Sequence, residues 1–244
     1  MTLFIFKKKP LVVTLFTANE SAYRFSRPQK ATYFLPDWWK ALPKRVAKDG
    51  GEPRVRDLIN TMKTCPGFVD LYSRGFIHPM WSDFQLEVSP NKDYQYQYAD
   101  RVSVAQEHTD QQMAGNPYLR THNHLKLVSP WAAREDSGVK FTMSAPMWNG
   151  FGAEDVLVPP GVLDFKHGLE LNINLFIRRY LEPKVYEFSF GQPLAHFIPM
   201  SDRPVKLIYE LVSREERENL IYRNGYSLFF DNRAKRAAKL CPYA

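Results

Sequence analysis

An alternation of apolar residues with mostly polar ones runs through the C-terminal half and constrains the fold more than any other feature. Five apolar residues occupy every second position: Leu169, Leu171, Ile173, Leu175 and Ile177. A period of two is typical of a β-strand that buries one face. A second β-rich run, 185–190, ends at the turn signal Gly191-Gln192-Pro193, and residues 194–200 are apolar again. We therefore predict antiparallel sheet in this region, with the rest of the chain packed against it.

Other segments add strands to this prediction. Residues 11–16 (LVVTLF) are apolar and β-branched. Residues 84–88 and 94–98 alternate on either side of a turn, which predicts a hairpin with a stripe of tyrosines on one face. Residues 125–128 and 139–143 are predicted to form a further strand pair. The fold class that follows is mainly β, with an antiparallel core of β-sandwich or β-clip type.

Helical patterns are confined to two regions. Residues 54–74 predict two short helices broken at Pro66, with Gly75 as the C-terminal cap. Ser213 followed by Glu216 is a capping-box pattern that opens a helical, basic C-terminal tail. The class is thus α+β. The predicted organisation is an N-terminal arm and first strand at 1–30, a single β-rich domain at 31–212, and the tail at 213–244.

Length and cysteine content limit the class of protein further. A chain of 244 residues can bury a sizeable core without disulfides or metals. Its two cysteines, Cys65 and Cys241, have no metal-binding spacing and are predicted to be free thiols in a reducing compartment. No apolar run approaches the roughly 20 residues that span a bilayer, and the opening MTLFIFKKKP reverses the order of a signal peptide. These features predict a soluble protein with no cofactor and no membrane partner.

The net charge of +7 raises the question of an anionic partner. The basic residues are spread along the sequence and cluster only at Lys7-Lys8-Lys9 and in the tail. This pattern favours a solvated basic surface, or a rim that docks an acidic neighbour, over nucleic-acid binding.

Two kinds of segment are candidates for subunit interfaces. Trp38 and Trp39 are adjacent, so they cannot face the same way; we expect one to bury and the other to stay near the surface. The favoured interpretation is that both anchor a loop onto the sheet, and the alternative is an aromatic anchor in a subunit interface, where tryptophan is enriched. The apolar arm and the basic tail are the other candidates. Their residues are Leu3, Phe4, Ile5 and Phe6 in the arm, and Arg233, Lys235 and Arg236 in the tail.

His122 and His124 form the most conspicuous candidate for a metal site. Two histidines at i and i+2 on a strand point to one side, as in metal sites of β-barrels. No carboxylate follows until Glu135, however, and Lys126 would oppose a dication. Three further histidines, His108, His167 and His196, lie elsewhere in the sequence. The prediction is therefore that these histidines are hydrogen-bonded or at the surface, with no bound metal.

The segments PGVLDFKHG (160–168) and GQPLAHFIP (191–199) resemble the core of the dUTPase and dCTP-deaminase group. That resemblance implies a β-clip in which Asp164 activates water and Asn174 ends a strand. The chain departs from the group in having Phe165-Lys166-His167 at the substrate hairpin and His196 in place of a glutamine. The phosphate-binding segment and the glycine-rich C-terminal arm of the group are also missing. The scaffold is therefore expected without the activity.

Several segments also resemble a set of tailed-phage proteins, especially from marine and cyanobacterial phages. They are LPDWWKALPK (35–44), TMKTCPGFVDLYSRGFIHPMWSDF (61–84), HLKLVSPW (124–131), VPPGVLDF (158–165) and GQPLAHFIPMSDRPV (191–205). The resemblance implies a viral protein and supplies no catalytic residue.

We expect a structural virion component of the head decoration, vertex, neck or tail, rather than an enzyme. It would be assembled in the host cytoplasm and would contact copies of itself or other virion proteins. The alternatives are a phage-encoded enzyme of nucleotide metabolism on a dUTPase-like scaffold, and a nucleic-acid-binding protein.

Overall fold

Short β-strands dominate the structure, as the alternating sequence predicts. The computed structural model describes residues 8–48, 58–91, 93–98, 104–107, 109–150, 155–166 and 168–222. The strands are β1 Leu11–Thr17, β2 Gln29–Lys30, β3 Arg45–Ala47, β4 Leu58–Asn60, β5 Phe76–Pro79, β6 Phe84–Val88, β7 Tyr94–Tyr98, β8 Val104–Glu107, β9 His122–Val128, β10 Trp131–Arg134, β11 Lys140–Ser144, β12 Val156–Leu157, β13 Gly161–Asp164, β14 Leu169–Glu170, β15 Ile173–Arg178, β16 Lys184–Phe188, β17 Pro193–Pro199 and β18 Val205–Leu211. The α-helices are α1 Glu20–Phe25, α2 Asp37–Ala41, α3 Pro66–Ser73 and α4 Arg214–Tyr222, and 3-10 turns occupy Ala31–Phe34, Met62–Thr64, Asp110–Met113, Pro117–Arg120 and Met147–Asn149. The predicted α+β class with a β-rich core is confirmed.

These strands form four larger sheets and one small hairpin. The strand orders are β14-β10-β1-β18, β13-β11-β17-β5-β2, β12-β15-β9-β8 and β16-β6-β7, with β3 and β4 paired separately. All described strand pairs are antiparallel except β1 and β18, which run parallel with Leu11 opposite Val205. The first strand is therefore an interior strand of its sheet.

The predicted long strand at 169–177 is divided between two sheets. It breaks after Glu170 into β14 and β15, and its neighbour breaks at Ser129-Pro130 into β9 and β10. The Asn172 side chain stabilises the break, because its Oδ1 accepts a hydrogen bond from the Ser129 amide at 2.9 Å. Its Nδ2 donates to Glu170 at 3.0 Å. A two-strand ribbon is thereby bent so that both halves turn apolar side chains into one core.

Two local predictions are wrong. Residues 125–128 and 139–143 do not pair with each other: β9 pairs with β8 and β15, whereas β11 pairs with β13 and β17. Within 54–74, residues 58–60 are a strand and not a helix, because they pair with β3. The helical spacing of apolar residues gave a wrong prediction there because these residues do not share one buried face. Ile59 is 47% exposed, and only the later residues Met62 and Cys65 pack against a core. The helix at Pro66–Ser73 and the glycine after it are confirmed.

The apolar side chains form a main core and a small core. The main core joins the four larger sheets and includes Leu15, Trp131, Phe141, Leu175 and Phe197. The small core lies under α3 and consists of Ala31, Phe68, Tyr72 and Ile77, with Trp39 packed against it. An exposed apolar surface that includes Trp38 rests on this small core through Phe68.

The C-terminal helix α4 begins as the capping pattern predicts and docks on the turn before β14. The Ser213 hydroxyl accepts the Glu216 amide at 3.1 Å, and Arg217 pairs with the half-buried Glu170 at 2.9 Å. Gly168, with a φ of +70°, lets the turn approach the helix: a Cβ added there would lie 2.6 Å from the Leu220 carbonyl oxygen. A backbone atom cannot move aside as a side chain can, so any larger residue must displace one of the two elements.

We expect Gly168→Ala to loosen α4 while leaving the sheets intact. The reason is that the clash falls on α4, which is not part of any sheet, and overpacking of this kind costs about 1–3 kcal/mol. Amide hydrogen exchange at 214–222 should accelerate, with the amides of β1 and β10 unchanged. The matched control is Gly138→Ala, which has a similar φ of +77° but whose Cβ would meet only the flexible end of Lys166 at 3.9 Å. Equal exchange of α4 in both variants would contradict this account.

Candidate functional site

Asp164, the carboxylate singled out by the dUTPase resemblance, lies at the end of β13. Its Oδ1 accepts a hydrogen bond from the Lys166 amide at 3.0 Å, which closes a local turn. Asn174 lies on β15, in a different sheet from Asp164. The described contacts of Asp164 are thus those of a turn-capping residue.

His122 and His124 lie on the same face of β9, as their spacing predicts, and both are buried. Each is 8% exposed. The Nδ1 atom of His122 is 2.9 Å from the Thr121 hydroxyl, and the His124 ring stacks on Phe176 at 4.8 Å. Both rings are thus engaged in contacts with neighbouring side chains.

An arginine fixes the segment that leads into β9. Arg179 donates hydrogen bonds to the carbonyl oxygens of Leu119, Arg120 and His122 and to the side chain of Asn123. Burial lowers the pKa of His122, and the positive charges of Arg178 and Arg179 lower it further. Cationic neighbours oppose a metal dication as they oppose a proton. Among the described residues, no three histidine, cysteine, aspartate or glutamate side chains are grouped to hold a metal ion.

A charged cluster borders the same sheet where β15 ends. Asp155 accepts hydrogen bonds from the Tyr180 hydroxyl and from Lys184 Nζ, the latter at 2.6 Å. These partners, Lys184 first, lower the pKa of the Asp155 carboxyl. The cluster ties the start of β12 to the turn before β16.

A buried pair that the sequence analysis did not single out is His78 and Ser129. The His78 Nε2 is 2.7 Å from the Ser129 Oγ, and the two residues are 0% and 2% exposed. Burial lowers the pKa of His78 to about 3, so its ring is neutral at physiological pH. A serine beside a neutral histidine has the composition of a nucleophile and its base, but a pair this deeply buried has no surface at which to meet a substrate. It connects β5 to the break between β9 and β10.

The adjacent tryptophans diverge as the sequence predicts. Trp39 turns inward, stacks on Phe68 at 5.2 Å and donates its Nε1–H to the Met62 carbonyl oxygen at 2.9 Å. Trp38 turns outward and is 42% exposed. Its Nε1–H donates to the carbonyl oxygen of Trp148 at 2.9 Å.

The outward tryptophan belongs to an exposed apolar surface. We define the tryptophan patch as Trp38, Val69, Met147 and Trp148, all of them more than 40% exposed. The rings of Trp38 and Trp148 lie 6.1 Å apart, and both contact the buried ring of Phe68 edge-on.

The floor of the tryptophan patch is fixed by polar contacts. The Tyr72 hydroxyl donates to Asn149 Oδ1 at 2.6 Å, and Asn149 Nδ2 donates to the Phe34 carbonyl oxygen at 2.7 Å. Burial raises the pKa of Tyr72 to about 12, so the hydroxyl keeps its proton and remains a donor. The rings of the patch are therefore held in place without a partner.

Sequence reasoning found Trp38 and missed the rest of the patch. Trp148 is 110 residues away, and no periodicity relates the two positions. The other interface candidates, Leu3–Phe6 and Arg233, Lys235 and Arg236, lie outside the described residues, as do His108 and His167.

In the described part of the chain, no helix combines the length and apolarity needed to cross a bilayer. The sequence matches no protein-family model, and comparison with curated proteins gives no significant match. The resemblances drawn from short segments of the sequence therefore stay predictions.

Proposed function

We propose that this chain is a structural subunit of a tailed-phage particle that works through contacts with copies of itself or with other virion proteins. The observation that carries the proposal is the tryptophan patch. Exposed apolar residues that lie together, as Trp38 and Trp148 do with their rings 6.1 Å apart, mark sites of protein interaction. The resemblance to tailed-phage proteins, which runs over most of residues 30–205, supplies the biological setting.

The construction of the patch supports a role in binding. Tryptophan dominates the energetic centres of protein interfaces because one ring removes a large apolar area from water. The rings here rest on Phe68, and the turn that carries Trp148 is fixed through Asn149. A surface ordered in advance loses less conformational entropy on association.

The direct test is mass spectrometry of purified particles of the phage that encodes the chain. We expect the protein in stoichiometric amounts, and its copy number relative to the major capsid protein separates a shell position from a neck or tail position. Presence in infected cells together with absence from particles would overturn the proposal.

The role of the patch is tested by Trp148→Ser. Loss of a central interface tryptophan costs about 2 kcal/mol or more, so association should weaken by about thirtyfold or more. Analytical ultracentrifugation and incorporation into particles both measure this effect. The matched control is Leu181→Ser, an apolar residue that is 93% exposed in the turn before β16. If both variants, folded by circular dichroism, assemble like the wild type, the patch is not the contact.

A further inference from the structure

A basic groove lies where the edges of two sheets meet. Strand β18 ends one sheet and β2 ends another, and the space beside them has a volume of about 440 Å³. Its principal lining residues are Arg27, Lys30, Tyr33, Lys206 and Tyr209. The three cations come from positions up to 179 residues apart, so only the folded chain brings them together. No aspartate or glutamate is among the described residues that line the groove.

Within the described part of the chain, the cations of the groove have no acidic partners. None of the ion pairs between described residues includes Arg27, Lys30 or Lys206. Some basic residues elsewhere on the surface are neutralised, as Arg74 is by Asp70 and Asp202. Like charges grouped without counter-charges create a positive potential that attracts anions.

Arg27 is held in position for such a ligand. Its Nε donates to the Tyr23 carbonyl oxygen, and its guanidinium carbon lies 4.2 Å from the centre of the Tyr23 ring and 5.2 Å from that of Tyr209. The Tyr209 hydroxyl in turn donates to the Pro28 carbonyl oxygen at 2.8 Å. The guanidinium is therefore oriented, and its terminal amino groups donate no hydrogen bond to the described residues; its planar geometry suits phosphate oxygens.

An exposed aromatic ring decides which class of anion the groove fits best. Tyr33 is 71% exposed at the groove, on the 3-10 turn that follows β2. Proteins that bind single-stranded nucleic acid combine a basic groove for the backbone with exposed rings on which bases stack. An acidic peptide would form ion pairs with the cations but has no base to stack on the Tyr33 ring. The volume also falls within the roughly 300–1,000 Å³ of small-ligand sites, enough for a nucleotide unit.

We infer that this groove binds single-stranded nucleic acid, with phosphates at Arg27, Lys30 and Lys206 and a base on Tyr33. The site shares no residue with the tryptophan patch. The inference goes beyond the proposed function and does not depend on it.

The test is fluorescence anisotropy of the full chain with a labelled oligothymidylate over a range of salt concentrations. For Lys30→Gln/Lys206→Gln we expect weaker binding and a slope of log affinity against log salt that is shallower by about 1.4, or 0.7 for each of two phosphate contacts. For Tyr33→Leu we expect affinity to fall about fivefold or more at every salt concentration with the slope unchanged. The matched control is Lys44→Gln/Lys140→Gln, which makes the same change in net charge at two exposed lysines that do not line the groove.

Three results would overturn the inference. The first is the absence of binding by the wild-type chain at low salt. The second is an equal loss of affinity in both double-lysine variants, which would mean attraction by net charge alone. The third is full displacement of the oligonucleotide by polyglutamate together with no effect of Tyr33→Leu, which would assign the groove to an acidic protein.

Discussion

Gly75→Ala is expected to destabilise the protein by about 2–5 kcal/mol, from left-handed strain of roughly 1–2 kcal/mol together with overpacking of about 1–3 kcal/mol. Gly75 ends α3 with a φ of +68°, and a Cβ added there would lie 1.9 Å from the carbonyl oxygen of Phe197. The oxygen belongs to the backbone of β17 and the Cβ position is fixed by the backbone of residue 75, so no side-chain rotation relieves the contact. Because α3 carries Phe68, the floor of the tryptophan patch should also be disturbed. Chemical denaturation monitored by tryptophan fluorescence measures the loss.

Two other glycines separate the causes of this effect. Gly191→Ala shares the positive φ, at +80°, but its Cβ would meet nothing within 4 Å, so it should show the strain alone. Gly67→Ala, near the start of α3, has neither strain nor contact and should be neutral or slightly stabilising. If Gly75→Ala were no worse than Gly191→Ala, the close approach of residue 75 to β17 would be refuted.

Acid is expected to destabilise the fold through His78. Burial depresses the pKa of His78 to about 3 in the folded protein, against 6.5 for the free side chain. The unfolded chain therefore binds the proton first, so this contribution to stability is full above pH 6.5 and is lost as the pH falls toward 3. Between pH 7 and pH 4 the loss from His78 alone is about 3 kcal/mol, at 1.36 kcal/mol for each pH unit. Urea denaturation at a series of pH values measures it.

Two variants test the assignment to His78. His78→Gln should be less stable at pH 7, because it loses packing and the contact with Ser129, but should lose about 3 kcal/mol less between pH 7 and pH 4. Ser129→Ala should keep the acid sensitivity, because burial, and not the serine, depresses this pKa. His122 and His196 also have lowered pKa values, mainly through burial, and act in the same direction in every variant. An unchanged pH profile in His78→Gln would refute the assignment.

The proposed function and the inferred nucleic-acid site use different surfaces, so they can be tested independently. The tryptophan patch rests on the small core under α3, whereas the basic groove lies between the edges of β2 and β18. Trp148→Ser should therefore leave oligonucleotide binding intact, and Lys30→Gln/Lys206→Gln should leave association intact. If both surfaces bind as expected, one subunit contacts protein through the tryptophan patch and nucleic acid through the basic groove.

What the sequence determined by itself was local. The alternation at 169–177 and 84–88 predicted strands because side chains point to opposite faces at each step, whichever neighbour the strand has. Ser213 and Glu216 predicted the start of α4, and Gly75 the end of α3, because capping depends on a few successive residues. The same logic predicted that Trp38 and Trp39 diverge.

What only the tertiary structure decided was which distant segments meet. Periodicity marks the buried face of a strand but not its partner, so the parallel pairing of β1 with β18 and the break at Asn172 were not predictable from it. Trp148 lies beside Trp38, and Lys206 lines the same groove as Arg27 and Lys30, although more than 100 residues of sequence lie between them in each case. Such contacts depend on how the core closes as a whole. Both candidate surfaces of this protein are therefore products of its packing.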